Sequence, residues 1–127
     1  MNYKRTGIPD IDEQHARLVV CLERLERFSR DGHDFAASLD AMSVALTYTK
    51  EHFADEEKLL KERNYPDLEE HIQKHEAITA DMNSLWAEIE SGEDVGVRLI
   101  DKMKEWIVDH IDVDDARYAR YLGTAPA

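Results

Sequence analysis

The chain has 127 residues, of which 43% are hydrophobic and 35% charged, a composition typical of one domain with a single core and well-solvated outer faces. Its formal net charge of −12 argues against nucleic acid and anionic membranes as partners, because both carry the same sign of charge. With one cysteine, no apolar signal region and no run near the roughly 20 apolar residues of a membrane span, we expect a soluble cytoplasmic protein.

The first part of the chain predicts an arm followed by a helix. Residues 1–11 are expected to form an irregular N-terminal arm, because Gly7 and Pro9 discourage an early helix. A first helix is predicted for about residues 12–30, where apolar side chains recur at helical spacing.

The ends of this helix carry recognisable signals. Asp10 or Asp12 could cap its start, and Glu13 stands three residues after Asp10 in capping-box spacing. The sequence Asp-Gly-His-Asp at 31–34 predicts a turn, and His33 within it is read as a solvated loop histidine.

Three more helices follow, predicted at roughly 35–63, 67–90 and 94–121. The breaks between them are Asn64-Tyr65-Pro66, where proline disfavours helix in the preceding residue, and the polar stretch 91–94. Four helices joined by short turns predict an all-α, up-down-up-down antiparallel four-helix bundle that occupies residues 1–127 as a single domain.

Five histidines and one glutamate continue the apolar stripes instead of the charged faces. They are His15, His52, Glu56, His71, His75 and His110. The spacings His52/Glu56 and His71/His75 are i, i+4, which puts both members of a pair on one face of a helix. In an antiparallel bundle these positions fall towards the same end, so their side chains can converge.

Each pair alone is weak evidence, because His-x-x-x-His and His-x-x-x-Glu also occur by chance on solvated helix faces. Together they are hard to explain as ordinary core residues, since burying imidazoles and carboxylates without partners costs several kcal/mol. Imidazole and carboxylate form the usual ligand set for iron, zinc or manganese. The joint pattern therefore predicts a two-metal site.

The same residues resemble the hemerythrin family, and more closely its single-domain bacterial members. The resemblance spans nearly the whole chain and rests on residues 7–15, on His-Phe-x-x-Glu-Glu at 52–57, on the Tyr-Pro turn leading to His71 and His75 in 64–75, and on 106–111 with Asp115 and Tyr118.

The resemblance implies a non-haem centre of two iron ions with an oxo or hydroxo bridge. His71, His75 and His110 would bind one iron, His15 and His52 the other, and Glu56 with Asp115 would bridge both. Two six-coordinate irons offer roughly twelve positions, and these groups with the bridging oxygen fill about eleven. The one open position would lie on the iron held by two histidines, where dioxygen would bind.

Simple periodicity favours a different bridging residue. Asp115 follows His110 by five residues, which is about 140° off its face on an ideal α-helix, whereas Asp114 is only about 40° off. The resemblance implies Asp115, which requires the helix to loosen or end there. Asp114 stays open as the alternative from spacing alone.

Apolar residues one turn from the ligands predict an oxygen pocket made of Leu18, Phe53, Ile78, Trp106, Ile107 and Ile111. The expected function is reversible dioxygen binding for storage, delivery or sensing, with no enzymatic turnover, because five neutral imidazoles favour a gentler iron site than a carboxylate-rich one. The alternatives are a di-iron peroxidase or oxidase and an iron- or nitric-oxide-handling protein. The sequence does not distinguish a monomer from a larger assembly.

Overall fold

The computed structural model describes residues 3–30, 35–90 and 96–126, and this part of the chain is helical with no strand. The helices are α1 (Pro9–Arg30), α2 (Phe35–Glu62), α3 (Leu68–Glu90), α4 (Gly96–Asp109), a π-helical turn (His110–Asp115) and α5 (Ala116–Leu122). The last three segments follow one another without a break and form one rod. The predicted turns at 31–34 and 91–94, and His33 with them, lie outside the described residues.

The four rods pack as a closed ring. Helix α1 contacts α2 and α4, and α3 contacts the same two helices. The predicted apolar stripes meet in one core, formed by Leu18, Leu22, Leu25, Met42, Leu46, Phe53, Met82, Leu85, Ile107 and Ile111. The prediction of an all-α four-helix bundle is confirmed. Among the described helices, none combines the length and apolar content needed to cross a bilayer.

Helix α1 begins at Pro9, three residues earlier than predicted. Proline fits the first helical position, because the N–H it lacks would have no intrahelical partner there. Asp12 therefore lies inside the helix, where its carboxylate accepts hydrogen bonds from the backbone N–H groups of Thr6 (2.7 Å) and Gly7 (3.1 Å). Glu13 accepts a bond from Arg17 at 2.6 Å instead of closing a capping box.

The turn between α2 and α3 sets the position of the third helix. Asn64 has a φ of 55°, the left-handed conformation that commonly ends a helix. The Tyr65 N–H donates to the Leu60 carbonyl (3.0 Å), and the Asn64 N–H donates to the Lys61 carbonyl (3.1 Å). Tyr65 and Leu60 also pack together in a second apolar cluster. This hydrogen-bonded turn fixes where α3 starts, and hence where His71 lies.

The N-terminal arm packs against the last helical rod and the residues that follow it, and it has the irregular backbone that the sequence predicts. The Lys4 N–H donates to Asp112 in the π-helical turn at 2.7 Å. Gly7 has a φ of 80°, and a Cβ built on it would stand 1.7 Å from the carbonyl oxygen of Thr124. The close approach of these two backbone segments therefore requires glycine at position 7.

Gly7→Ala is expected to destabilise the protein by about 2 kcal/mol or more, because the methyl group adds a backbone clash to the strain of a positive φ. Gly123→Ala is the matched control. Its φ is 73° with open space around it, so only the strain of about 1 kcal/mol is expected. Urea unfolding of both variants measures the difference, and equal losses would contradict the close contact at Gly7.

Candidate metal centre

All four rods contribute to one buried polar cluster. Its members are His15 from α1, His52 and Glu56 from α2, His71 and His75 from α3, and His110 and Asp115 from the π-helical turn. Each is at most 4% exposed, although together they are five imidazoles and two carboxylates. The structure therefore brings together all seven residues that the sequence singled out.

The π-helical turn explains why Asp115, and not Asp114, reaches the cluster. The backbone N–H of Ala116 bonds back to the carbonyl of Ile111, five residues earlier, which widens the turn relative to an α-helix. His110 and Asp115 then face the same interior although they are five residues apart. Asp114 lies behind His110 and accepts a hydrogen bond from its Nδ1 at 2.9 Å.

Glu56 stands between two groups of histidines. Its Oε1 lies 2.6 Å from His71 Nε2 and 3.0 Å from His75 Nε2. Its Oε2 lies 3.4 Å from His52 Nε2 and 3.6 Å from His15 Nε2. One carboxylate oxygen thus faces each group.

Asp115 repeats this arrangement from the other side. Its Oδ1 lies 3.1 Å from His71 Nε2 and 3.2 Å from His110 Nε2, while its Oδ2 lies 3.0 Å from His15 Nε2. The cluster therefore divides into a three-histidine group (His71, His75 and His110) and a two-histidine group (His15 and His52), and both groups share Glu56 and Asp115. Within each group, one donor atom per residue lies within 4.8 Å of all the others.

The donor set fits a pair of cations. Within the described part of the chain, His15 Nε2, His110 Nε2 and both carboxylate oxygens of Asp115 are buried without a directed hydrogen bond. The Nε2 atoms converge on shared carboxylates in two adjacent groups, so one divalent cation in each group would satisfy them, and imidazole with carboxylate suits iron.

Without cations, the neighbouring carboxylates raise the pKa values of three rings in the cluster. Burial lowers the pKa of His15 and of His71, but the carboxylates of Asp115 and Glu56 outweigh burial and raise both to about 9. At His110, burial is outweighed in the same way by Asp115, Asp114 and Glu56, and its pKa rises to about 10. Burial raises the pKa of Glu56, yet hydrogen bonds from the surrounding histidines hold it well below the usual range.

These raised pKa values predict that metal uptake expels protons. At pH 7, His15, His71 and His110 carry protons that a cation must displace, so loading is expected to release about two to three protons per chain. Apparent affinity should rise with pH and level off above about 10, where all three rings are neutral. Calorimetric titration in two buffers of different ionisation enthalpy counts the protons, and a count of zero at pH 7 would contradict these protonation states.

A second layer of side chains orients the rings. The Nδ1 of His52 donates to Gln14 Oε1 at 2.6 Å, and the Nδ1 of His75 donates to Glu57 Oε2 at 2.9 Å. Asp114 does the same for His110, and is itself held by Lys74 at 2.5 Å. Such partners fix the tautomer that leaves Nε2 free to bind a metal.

The fully buried Tyr118 completes this layer, since its hydroxyl donates to Glu56 Oε2 at 3.1 Å. Sequence reasoning did not assign these orienting roles. Gln14 and Glu57 adjoin predicted ligands, but their neighbours in sequence are not their hydrogen-bond partners.

An apolar wall adjoins the cluster. The ring of Phe53 stacks on His75 with centroids 3.8 Å apart, and it also approaches His52 and His110. Leu18, Phe53, Ile107 and Ile111 are buried in the main core, and the partly buried Ile78 and Trp106 pack against it. All six residues predicted to line an oxygen pocket therefore belong to one apolar cluster.

Comparisons with known proteins match most of this chain. The family model of the hemerythrin HHE cation binding domain matches residues 6–122. A bacteriohemerythrin of Pseudomonas aeruginosa is 34% identical over 113 residues, which cover 89% of this chain and 73% of the relative. A myohemerythrin of Riftia pachyptila is 29% identical over 114 residues, covering 90% and 84% of the two chains. A crystal structure of wild-type hemerythrin has a TM-score of 0.88 at 19% identity, covering 94% of this chain and 95% of that chain.

Proposed function

The chain belongs to the hemerythrin family, and from that premise we propose that it binds dioxygen reversibly at a non-haem di-iron centre with an oxo or hydroxo bridge. One iron would be held by His71, His75 and His110, and the other by His15 and His52. Glu56 and Asp115 would bridge the two. When bound, the iron pair supplies the electrons for reversible reduction of dioxygen.

The observation that carries this proposal is the division of the two carboxylates. Glu56 and Asp115 each present one oxygen to the three-histidine group and the other to the two-histidine group. A single metal would need only one face of each carboxylate. Because His15 and His52 supply one imidazole fewer than the other group, an iron held there would keep an open position for a small ligand.

The apolar wall supports binding over turnover. Leu18, Phe53, Ile107 and Ile111 are each at most 4% exposed, so they would exclude water from the ligand position. Ile78 and Trp106 close the same cluster from its edge. Five imidazoles outnumber the two carboxylates, and neutral ligands stabilise low-valent iron more than the high-valent iron that an oxidase requires.

Storage, delivery and sensing all use the same binding step. A cytoplasmic location, the absence of enzymatic turnover and the absence of nucleic acid partners stay predictions from the sequence. The net charge of −12 supports the last of these.

The test is an anaerobic titration of ferrous-loaded protein with dioxygen, followed by visible spectroscopy. A new absorption should appear with oxygen and disappear when the oxygen is removed under vacuum, over repeated cycles. Zinc-loaded protein is the control and should stay colourless. Steady consumption of hydrogen peroxide or an organic substrate, with no recoverable oxygenated form, would favour an enzyme and overturn the proposal.

A further inference from the structure

The two histidine groups differ in the side chains that accept hydrogen bonds from the Nδ1 atoms of their rings. In the three-histidine group, carboxylates accept the Nδ1 protons of two rings: Glu57 at His75 and Asp114 at His110, both at 2.9 Å. A carboxylate that accepts this proton makes the imidazole a stronger donor at Nε2.

The two-histidine group has weaker support. His52 donates to Gln14, whose amide oxygen is neutral. The Nδ1 of His15 is buried, and no hydrogen-bond partner for it occurs among the residues that the structure describes. These rings are therefore less polarised than those of His75 and His110.

The shared carboxylate adds to the difference. The Tyr118 hydroxyl donates to Oε2 of Glu56, the oxygen that faces His15 and His52. A hydrogen bond at this oxygen draws electron density from it, whereas Oε1, on the other side, faces only rings of the three-histidine group.

We propose that the side chains that accept the Nδ1 protons of the rings set the order of metal loading. Glu57 and Asp114 make the three-histidine group the tighter site, which fills first. Gln14 leaves the two-histidine group the weaker site, which fills last. Glu57, Asp114 and Gln14 are thus positioning residues that act through the rings they hold. This inference rests on the metal centre of the proposed function, but it does not depend on dioxygen. It implies that the iron held by His15 and His52 would be the one lost first when iron is scarce.

The experiment is an anaerobic Co²⁺ titration of the metal-free protein against a competing chelator. Visible bands of Co²⁺ follow each binding step, and paramagnetically shifted imidazole N–H signals assign it to a group of rings. The wild type should bind two Co²⁺ in two steps, and the three-histidine signals should appear first.

Glu57→Gln and Asp114→Asn should each weaken the first step by roughly 10- to 100-fold and leave the second nearly unchanged. Asp81→Asn removes the same charge from an exposed position on α3 and should change neither step. A weakened second step with an unchanged first step would overturn the proposal, as would equal shifts of both steps.

A gain of affinity separates this proposal from simple structural damage. Gln14→Glu places a carboxylate behind His52. In the wild type, Gln14 Nε2 donates to Asp55 at 3.1 Å, so a glutamate at position 14 would face the Asp55 carboxylate. Asp55→Asn in the same chain removes that repulsion and offers the new glutamate an amide donor. The double variant should tighten the second step about tenfold relative to Asp55→Asn alone. An unchanged or weaker second step contradicts the proposal, while failure of the wild type to bind any Co²⁺ would remove the metal centre itself.

Discussion

Glu56→Ala is expected to weaken the loading of both irons. Glu56 is the one carboxylate of the cluster with an oxygen within 4 Å of all five imidazoles: Oε1 faces His71, His75 and His110, and Oε2 faces His15 and His52. Its removal would take a ligand from each metal. Because each group then has one donor fewer, iron per chain after desalting should fall from about two to below one.

The matched comparison for this variant is Glu57→Gln, one residue away. Glu57 touches the ring of His75 from behind and does not face the shared interior, so this variant should still take up both irons, though less tightly. Circular dichroism of the two metal-free proteins checks that both are helical. If Glu56→Ala retained two irons, the bridging role assigned to Glu56 would be wrong.

His52→Ala is expected to leave a protein with one iron that no longer binds dioxygen reversibly. His52 contacts Glu56 through Oε2, on the side of the two-histidine group, so its loss leaves His15 as that group's single imidazole. The three-histidine group keeps all its donors. Metal analysis should give about one iron per chain, and the oxygen-dependent absorption should vanish.

His75→Ala is the counterpart in the other group. It should weaken the three-histidine site while leaving two imidazoles there, so its loss of iron should be smaller at equal chelator concentration. Equal loss of both irons from His52→Ala would contradict the division into two groups. So would an oxygenated form of His52→Ala that still releases its oxygen under vacuum.

The sequence predicts most of this fold because the signals that form it are local. Apolar residues at helical spacing define the rods, and Asn64-Tyr65-Pro66 supplies the turn that the structure shows. Helix α1 starts earlier than the sequence predicts because Pro9, which discourages helix in an interior position, is a favoured residue at the first helical position. The position of the N-terminal arm depends on a contact between Gly7 and Thr124. These residues are 117 positions apart, so no local sequence pattern reveals the contact.

The centre of the site was predictable for a related reason. The pairs His52/Glu56 and His71/His75 are one helical turn apart, so periodicity places them on one face. Asp115 is different, since ideal α-helical geometry favours Asp114. Position 115 follows only from the family resemblance and from the π-helical turn that the structure shows.

The side chains that hydrogen-bond to the histidines and to Glu56 from outside the cluster cannot be predicted from local sequence patterns. Gln14 and His52 are 38 residues apart, Glu57 and His75 are 18 apart, and Tyr118 and Glu56 are 62 apart. Asp114 is on the same turn as His110, yet its role depends on the widening that turns Asp115 inwards. Such contacts follow from how the rods pack against one another.

The most direct test of the whole account is the number of ferrous ions that the metal-free protein takes up in the absence of air. Buried imidazoles and carboxylates divided into two groups around shared Glu56 and Asp115 predict two irons per chain, retained after desalting. Uptake of no iron, or of one iron that saturates the cluster, would contradict a di-iron centre and the oxygen-binding function built on it.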